Sequence, residues 1–211
     1  MIEQKEINKI ATQNRVSDRQ VEKDYVLSWL LFDFVKEETN IDMQIDPKKG
    51  TIHESGSPQF YIDYVASLQG SMGSRDLKID ITRGEILETA SEMRNIFRTY
   101  SDLEEDFTLQ CYSLAEVLIE KMAALMGRTQ PRDLYDFWYL TEIEQLKVAD
   151  HLFEFESKAK HKGQNPEKFL EKALGKELIF KRDWSKKLSS QIHDMPDFDT
   201  VFREAKRHFK Y

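Results

Sequence analysis

A chain of 211 residues, 40% hydrophobic and 11% aromatic, can bury a substantial core, which excludes wholesale disorder. Thirty-one Lys and Arg against 38 Asp and Glu give a formal charge of −7, so the chain is not a generally basic protein that coats nucleic acid. The charge is uneven: residues 1–110 hold 13 basic and 21 acidic side chains, whereas the stretch from Glu156 onward holds 14 and 9. An acidic front and a basic tail suit a metal-plus-polyanion site better than a membrane anchor.

The single cysteine, Cys111, can form neither an internal disulfide nor a thiolate zinc site, and His53, His151, His161, His193 and His208 show no ligand-pair spacing. The first residues lack a signal-peptide core, and the longest mainly apolar run, Tyr25 to Phe32, is short and flanked by Asp24 and Asp33. The expected location is cytoplasmic.

In chain order, Ile7, Ile10 and Ala11 give a short first helix its stripe, and Ser17-Asp18-Arg19-Gln20 is a capping box opening a helix to about Glu38. Its expected apolar face is Val21, Tyr25, Ser28, Phe32 and Val35. Residues 41–46 alternate with period two and predict a strand that ends at Pro47. A second strand is expected over Phe60 to Leu68, and the Gly-rich link 69–74 reads as a hairpin into a third over 77–82. From Ser113, a second capping box with Glu116, the period becomes helical. Helices are expected near 113–127, 132–145, 147–160, 166–174 and 198–209. The fold class is α+β, with a small antiparallel sheet in an N-terminal lobe, 1–110, and a helical C-terminal lobe, 111–211.

Three places could carry chemistry. In the third strand Leu77, Ile79 and Ile81 point one way and Lys78, Asp80 and Thr82 the other, so Asp80 faces off the core; a plain solvent-facing carboxylate would look the same. In the helix after Ser113 the apolar stripe Leu114, Val117, Leu118 and Leu125 is interrupted by Lys121. Such a lysine either snorkels to water or faces a cleft and holds an anion. Beyond it, Arg128-Thr129-Gln130-Pro131-Arg132-Asp133-Leu134-Tyr135-Asp136 puts Pro131 in a first helical turn with two carboxylates nearby. These either compensate the helix dipole or orient Lys121 or Arg132.

Val21-Glu22-Lys23-Asp24-Tyr25, Leu77-Lys78-Ile79-Asp80-Ile81-Thr82-Arg83, Cys111-Tyr112-Ser113-Leu114 with Glu116 and Glu120-Lys121, and the block from Arg128 to Asp136 resemble the AbiEii (abortive-infection) toxin family of nucleotidyltransferases. The resemblance covers roughly residues 16–36 and 75–208. It implies a reduced polymerase-beta-like nucleotidyltransferase fold, Mg²⁺, and transfer of a nucleotide from an NTP to RNA, tRNA being the expected acceptor, by a toxin paired with an antitoxin. It further implies that Asp80 is the third metal-binding carboxylate, that Lys121 contacts the triphosphate, and that Lys23, Lys78, Arg128, Arg132, Asp133 and Asp136 support substrate binding. One departure stands out. That fold takes two metal ligands from an Asp-x-Asp strand after a Gly-Ser turn, and no Asp-x-Asp occurs between residues 30 and 80. Two-metal chemistry needs carboxylates bridging ions about 3.5–4 Å apart, which Asp80 alone cannot supply. The alternative expectation is therefore an internally shortened, inactive member that binds nucleotide, RNA or antitoxin. The basic tail, with Lys158, Lys160, Lys162, Lys186, Lys187, Arg203, Lys206, Arg207 and Lys210, is the candidate polyanion surface, and a solvated helical face is its plainer explanation.

Overall fold

The computed structural model describes residues 1–39, 42–52, 57–68, 76–96 and 99–210. Its contacts divide the chain into two units, one of residues 1–85 and 93–109 and another of 86–92 and 110–211. The architecture is α+β, and among the described residues no helix is long and apolar enough to cross a membrane.

In the first unit, α1 (Gln4–Asn14) and α2 (Asp18–Lys36) pack on one another. Ser17 caps α2 as its sequence predicts, its hydroxyl accepting the Gln20 amide at 3.2 Å. The buried side of α2 is wider than the predicted stripe: Glu22, Val26, Trp29 and Leu30 join Val21, Tyr25 and Phe32, while Val35 is left exposed. Two tyrosine hydroxyls fix this core where hydrophobic packing alone would not set a register. Tyr25 donates to Asp102 at 2.7 Å and accepts the Ile2 amide at 3.2 Å, and Tyr100 donates to Asp24 at 2.7 Å. Burial, then hydrogen bonding to those carboxylates, pushes both phenols well above their ordinary pKa. Buried Glu22 accepts the Leu68 amide at 2.8 Å, tying α2 to the end of the sheet segment.

The sheet of this unit has the order β1 (Asp42–Ile52), β2 (Pro58–Val65), β3 (Asp76–Asp80), antiparallel throughout. β1 does not stop at Pro47. Its register with β2 shifts between Asp46 and Thr51, so the strand absorbs a proline as a bulge and resumes pairing at Thr51. The Gly-rich link 69–74 lies outside the described residues. Two strands that the sequence reading did not single out, β4 (Glu92–Ile96) and β5 (Phe107–Cys111), pair with each other. Both are five residues long: β4 is mostly polar, and the alternation of Phe107, Leu109 and Cys111 in β5 is too short to stand out.

The second unit is helical: α3 (Leu114–Gly127), α4 (Pro131–Trp138), α5 (Leu152–His161), α6 (Phe169–Leu174), α7 (Glu177–Leu188) and α8 (Phe198–His208). A π-helical turn, Tyr139–Ile143, extends α4, and 3₁₀ turns lead into α5 and α6. α7 is not among the expected helices: no capping side chain marks its start, and the exposed Leu178 and Ile179 obscure its buried stripe of Phe180, Trp184 and Leu188. The core runs from Leu118, Ile119, Met122 and Leu125 of α3 through Phe137, Phe155, Phe169 and Trp184 to Phe202 and Phe209. Ser113 caps α3 through the Glu116 amide at 3.0 Å, but the Glu116 carboxylate goes elsewhere. It lies 2.7 Å from the Lys158 ammonium and accepts the backbone amides of Glu88 and Thr89 at 3.0 and 2.8 Å.

Lys158 overturns its assignment to a polyanion-facing tail: it is fully buried, 2.7 Å from both Glu116 and Glu120, and it also donates to the Ile86 carbonyl. Burial works against its charge, yet hydrogen bonds to the two glutamates outweigh that and raise its pKa. Removing one partner of such a cluster leaves buried charge uncompensated. Lys158→Met should cost about 3–5 kcal/mol in chemical denaturation, and adding Glu116→Gln should recover part of the loss. A single-variant loss under about 1 kcal/mol would contradict this assignment.

Candidate functional site

The second unit holds five of the eight predicted residues, and four of them, Lys121, Arg128, Asp133 and Asp136, meet at the junction of α3 and α4. Arg128 ends α3 in extended backbone, and Pro131 starts α4 at a position where its missing amide proton costs nothing. Asp133 follows in the first turn of α4 and is completely buried. A carboxylate tolerates that position because the helix N-terminus faces it and two cations meet it. Arg128 donates to it through Nε and an η nitrogen at 2.7 and 2.9 Å, and Lys121 Nζ lies at 3.5 Å. The guanidinium's pKa is raised, first by that hydrogen bond.

Lys121 sits at the margin of the buried face of α3, its side chain 21% exposed. It neither snorkels alone into water nor lies in the core. Its ammonium is 2.5 Å from Asp136, one turn beyond Asp133. Both carboxylates of the block therefore orient Lys121, and Asp133 holds Arg128 as well. Arg132 is elsewhere: it is exposed and borders a separate depression of about 190 Å³ with Gln130, Lys187 and Gln191.

Lys121 and Arg128 border a cavity of about 280 Å³, which Glu120, Ala123, Ala124, Gly127, Lys162 and Gln164 complete. Gly127 matters for its shape, since a Cβ there would stand 2.9 Å from Gln164 Nε2. That amide nitrogen donates to the Ala123 carbonyl at 3.2 Å. Lys162 lines the cavity and pairs with Glu120 at 2.5 Å. Lys176 closes the end of α3, donating to the carbonyls of Leu125, Met126 and Arg128 at 2.5, 3.1 and 2.9 Å. Burial pulls its pKa down. Gln164 and Lys176 are not among the sequence candidates, and Lys162 is one only as part of the basic tail. A signal existed, because Glu116 and Glu120 on α3 share a spacing of four with Lys158 and Lys162. It becomes readable only once α3 and α5 are known to pack together.

The other predicted residues belong to the first unit. Lys23 lies half-buried on α2. Asp80, the last residue of β3, is exposed as its strand pattern predicts, and its carboxylate pairs with Lys78 at 3.2 Å and accepts Gln59 Nε2 at 2.6 Å. The register puts Asp42, Asp46, Asp63, Asp76 and Asp80 on one face of the sheet. Three of these, Asp46, Asp63 and Asp76, each lie 3.3 Å from the ammonium of Lys49, which the bulge of β1 brings over them. Hydrogen bonding to Asp76, reinforced by Asp46 and Asp63, raises the pKa of Lys49.

These donors do not fit the divalent ion that the resemblance implies. Among the described residues no group of three His, Cys, Asp or Glu is placed to hold a metal, and Asp46, Asp63 and Asp76 share the ammonium of Lys49. Replacing Lys49 by Met should lower the melting temperature at low salt by restoring repulsion among the three aspartates. The deficit should shrink toward zero near 1 M NaCl, where the Debye length is about 3 Å. A salt-independent deficit would show that Lys49 acts through packing.

A family model described as nucleotidyl transferase AbiEii toxin, type IV toxin–antitoxin system, matches residues 19–204. No curated protein and no solved structure matches the chain. The match spans both units, including α2, the whole sheet and the α3–α4 junction with its two ion-paired cations. With an α+β architecture that fits a nucleotidyltransferase fold, the chain belongs to the AbiEii nucleotidyl transferase toxin family.

Proposed function

We propose that this chain binds the phosphates of an NTP at Lys121 and Arg128 and transfers the nucleotide to RNA, tRNA being the expected acceptor, as the toxin of a toxin–antitoxin pair. One observation carries the reading. Two cations, pre-oriented by the carboxylates of Asp133 and Asp136, border a cavity that a third cation, Lys162, also lines. Phosphoryl and nucleotidyl transfer rest largely on positioning and charge stabilisation, and fixed cations supply both without reorganising when charge develops. Asp133 sets the Arg128 fork, and Asp136 fixes where the Lys121 ammonium stands.

A second reading, binding without turnover, is favoured by the sheet of the first unit. There Asp80 is engaged by Lys78 and Gln59, and three neighbouring aspartates share Lys49.

The two readings separate in one set of measurements. Each NTP, with Mg²⁺ in the buffer, is titrated into wild type and Lys121→Ala, and transfer from labelled NTP to bulk tRNA is followed in parallel. A charge-assisted phosphate contact is worth about 1.5–3 kcal/mol, so Lys121→Ala should weaken binding tenfold or more. Incorporation that disappears in Lys121→Ala supports transfer. Lys121-dependent binding with no incorporation supports the second reading, and equal affinities for the two proteins would overturn both.

For the acceptor, the exposed cations Lys186 and Lys187 end α7, and Lys206 and Arg207 end α8. Each pair also opposes the negative end of its helix dipole, which by itself accounts for basic residues there. Arg207 is shared with Glu142 at 3.1 Å, and Lys187 with Asp183 at 3.4 Å. If this surface follows RNA phosphates, the logarithmic salt dependence of RNA affinity should have a slope of about −0.7 per contact for single strands. Neutralising the four residues should flatten it. A slope that the neutralisation leaves unchanged returns both helix ends to dipole compensation.

A further inference from the structure

Beside the Lys121–Asp136 pair, a second cavity of about 250 Å³ lies within the helical unit, lined by Val117 of α3 and by Tyr135, Asp136, Tyr139 and Leu140. Its composition is unlike that of the cavity at Arg128. Two aromatic rings and two aliphatic side chains form the walls, and Asp136 is the one charged residue among the lining residues. Tyr135 and Tyr139 are one turn apart, their ring centroids 6.2 Å from each other and their planes tilted by 32°. Tyr135 is held from behind by Trp138 and Trp184, at 5.6 and 6.4 Å between centroids. Tyr139 begins the π-helical turn and stays 39% exposed. Such turns widen a helix locally and recur at functional sites.

We propose that this tyrosine-walled cavity receives the nucleobase of the nucleotide whose phosphates meet Lys121, a step that rests on the phosphate reading above. Charge complementarity selects that occupant. The cavity is apolar and lies next to a cation, because Asp136 borders it and holds Lys121 at 2.5 Å, and a nucleotide joins a flat apolar ring to phosphates in the same way. Stacking on tyrosine tolerates any base, since every base has a π face. The carboxylate adds a preference. It accepts hydrogen bonds and donates none, so it favours a base edge that carries an amino group. Uracil offers one ring N–H between two carbonyl oxygens, which a carboxylate repels. The amino-bearing bases should therefore bind more tightly than uracil.

The test titrates ATP, UTP and inorganic tripolyphosphate into wild type, Tyr139→Ala and Lys121→Ala, with thermal melts to confirm folding. Should Tyr139→Ala fail to fold, Val117→Phe fills the same cavity from α3 and takes its place. In wild type ATP should bind more tightly than UTP, and both more tightly than tripolyphosphate. Loss of the tyrosine ring should cost ATP about tenfold and change tripolyphosphate affinity less than about twofold. Equal wild-type affinities for ATP and tripolyphosphate would overturn the base pocket while leaving the phosphate site standing. So would a variant that weakens both ligands alike. Lys121→Ala should weaken all three ligands, and if it weakens none, the phosphate reading fails and the base pocket with it.

Discussion

A buried lysine ammonium organises the helical unit. Lys158, on α5, stands between Glu116 and Glu120, one turn apart on α3, and a charge with no exposure to water persists only where its partners are fixed. Satisfying it sets the packing of α5 on α3 and recruits the segment 86–89, whose amides and Ile86 carbonyl complete the cluster. Glu120 also accepts Lys162, so the same contact that stabilises the packing sets one wall of the cavity beside Lys121. Stability and site geometry are coupled through a single helix.

That helix is polar at both ends for different reasons. Its start uses Ser113 to satisfy a free amide, and its end uses Lys176 to satisfy three carbonyls. The chain then extends through Arg128 and re-enters a helix at Pro131, which places Asp133 in a first turn directly against Arg128. Lys121 and Arg128 are thus held at a junction between two helices, against a carboxylate removed from water. Fixed charge of this kind contributes to binding and catalysis without reorganising.

The sheet of the first unit follows another logic. Antiparallel register brings five aspartates to one face, where mutual repulsion would oppose folding, and a bulged strand supplies Lys49 to three of them. Pairing with Lys49 offsets part of that repulsion from within the sheet. In a family expected to work with a divalent metal, Asp46, Asp63 and Asp76 of this sheet meet Lys49, and Asp80 meets Lys78.

Much of this was legible in the residue order, because local rules decide it. Ser17 and Ser113 mark their helix starts, Pro131 marks α4, alternation sets the outward face of Asp80, and the blocks around Lys121 and Asp133 place the chain in its family. Where the sequence reading failed, the cause was non-local. Pro47 looked like a strand end because only a partner strand shows that pairing resumes at Thr51. Lys158 looked like one more solvated tail lysine, since its glutamates lie some forty residues away in sequence and an i,i+4 pair on each of two helices means nothing until the helices meet. Charge type and periodicity are written in the sequence, whereas which charges share a buried space is decided by packing between elements.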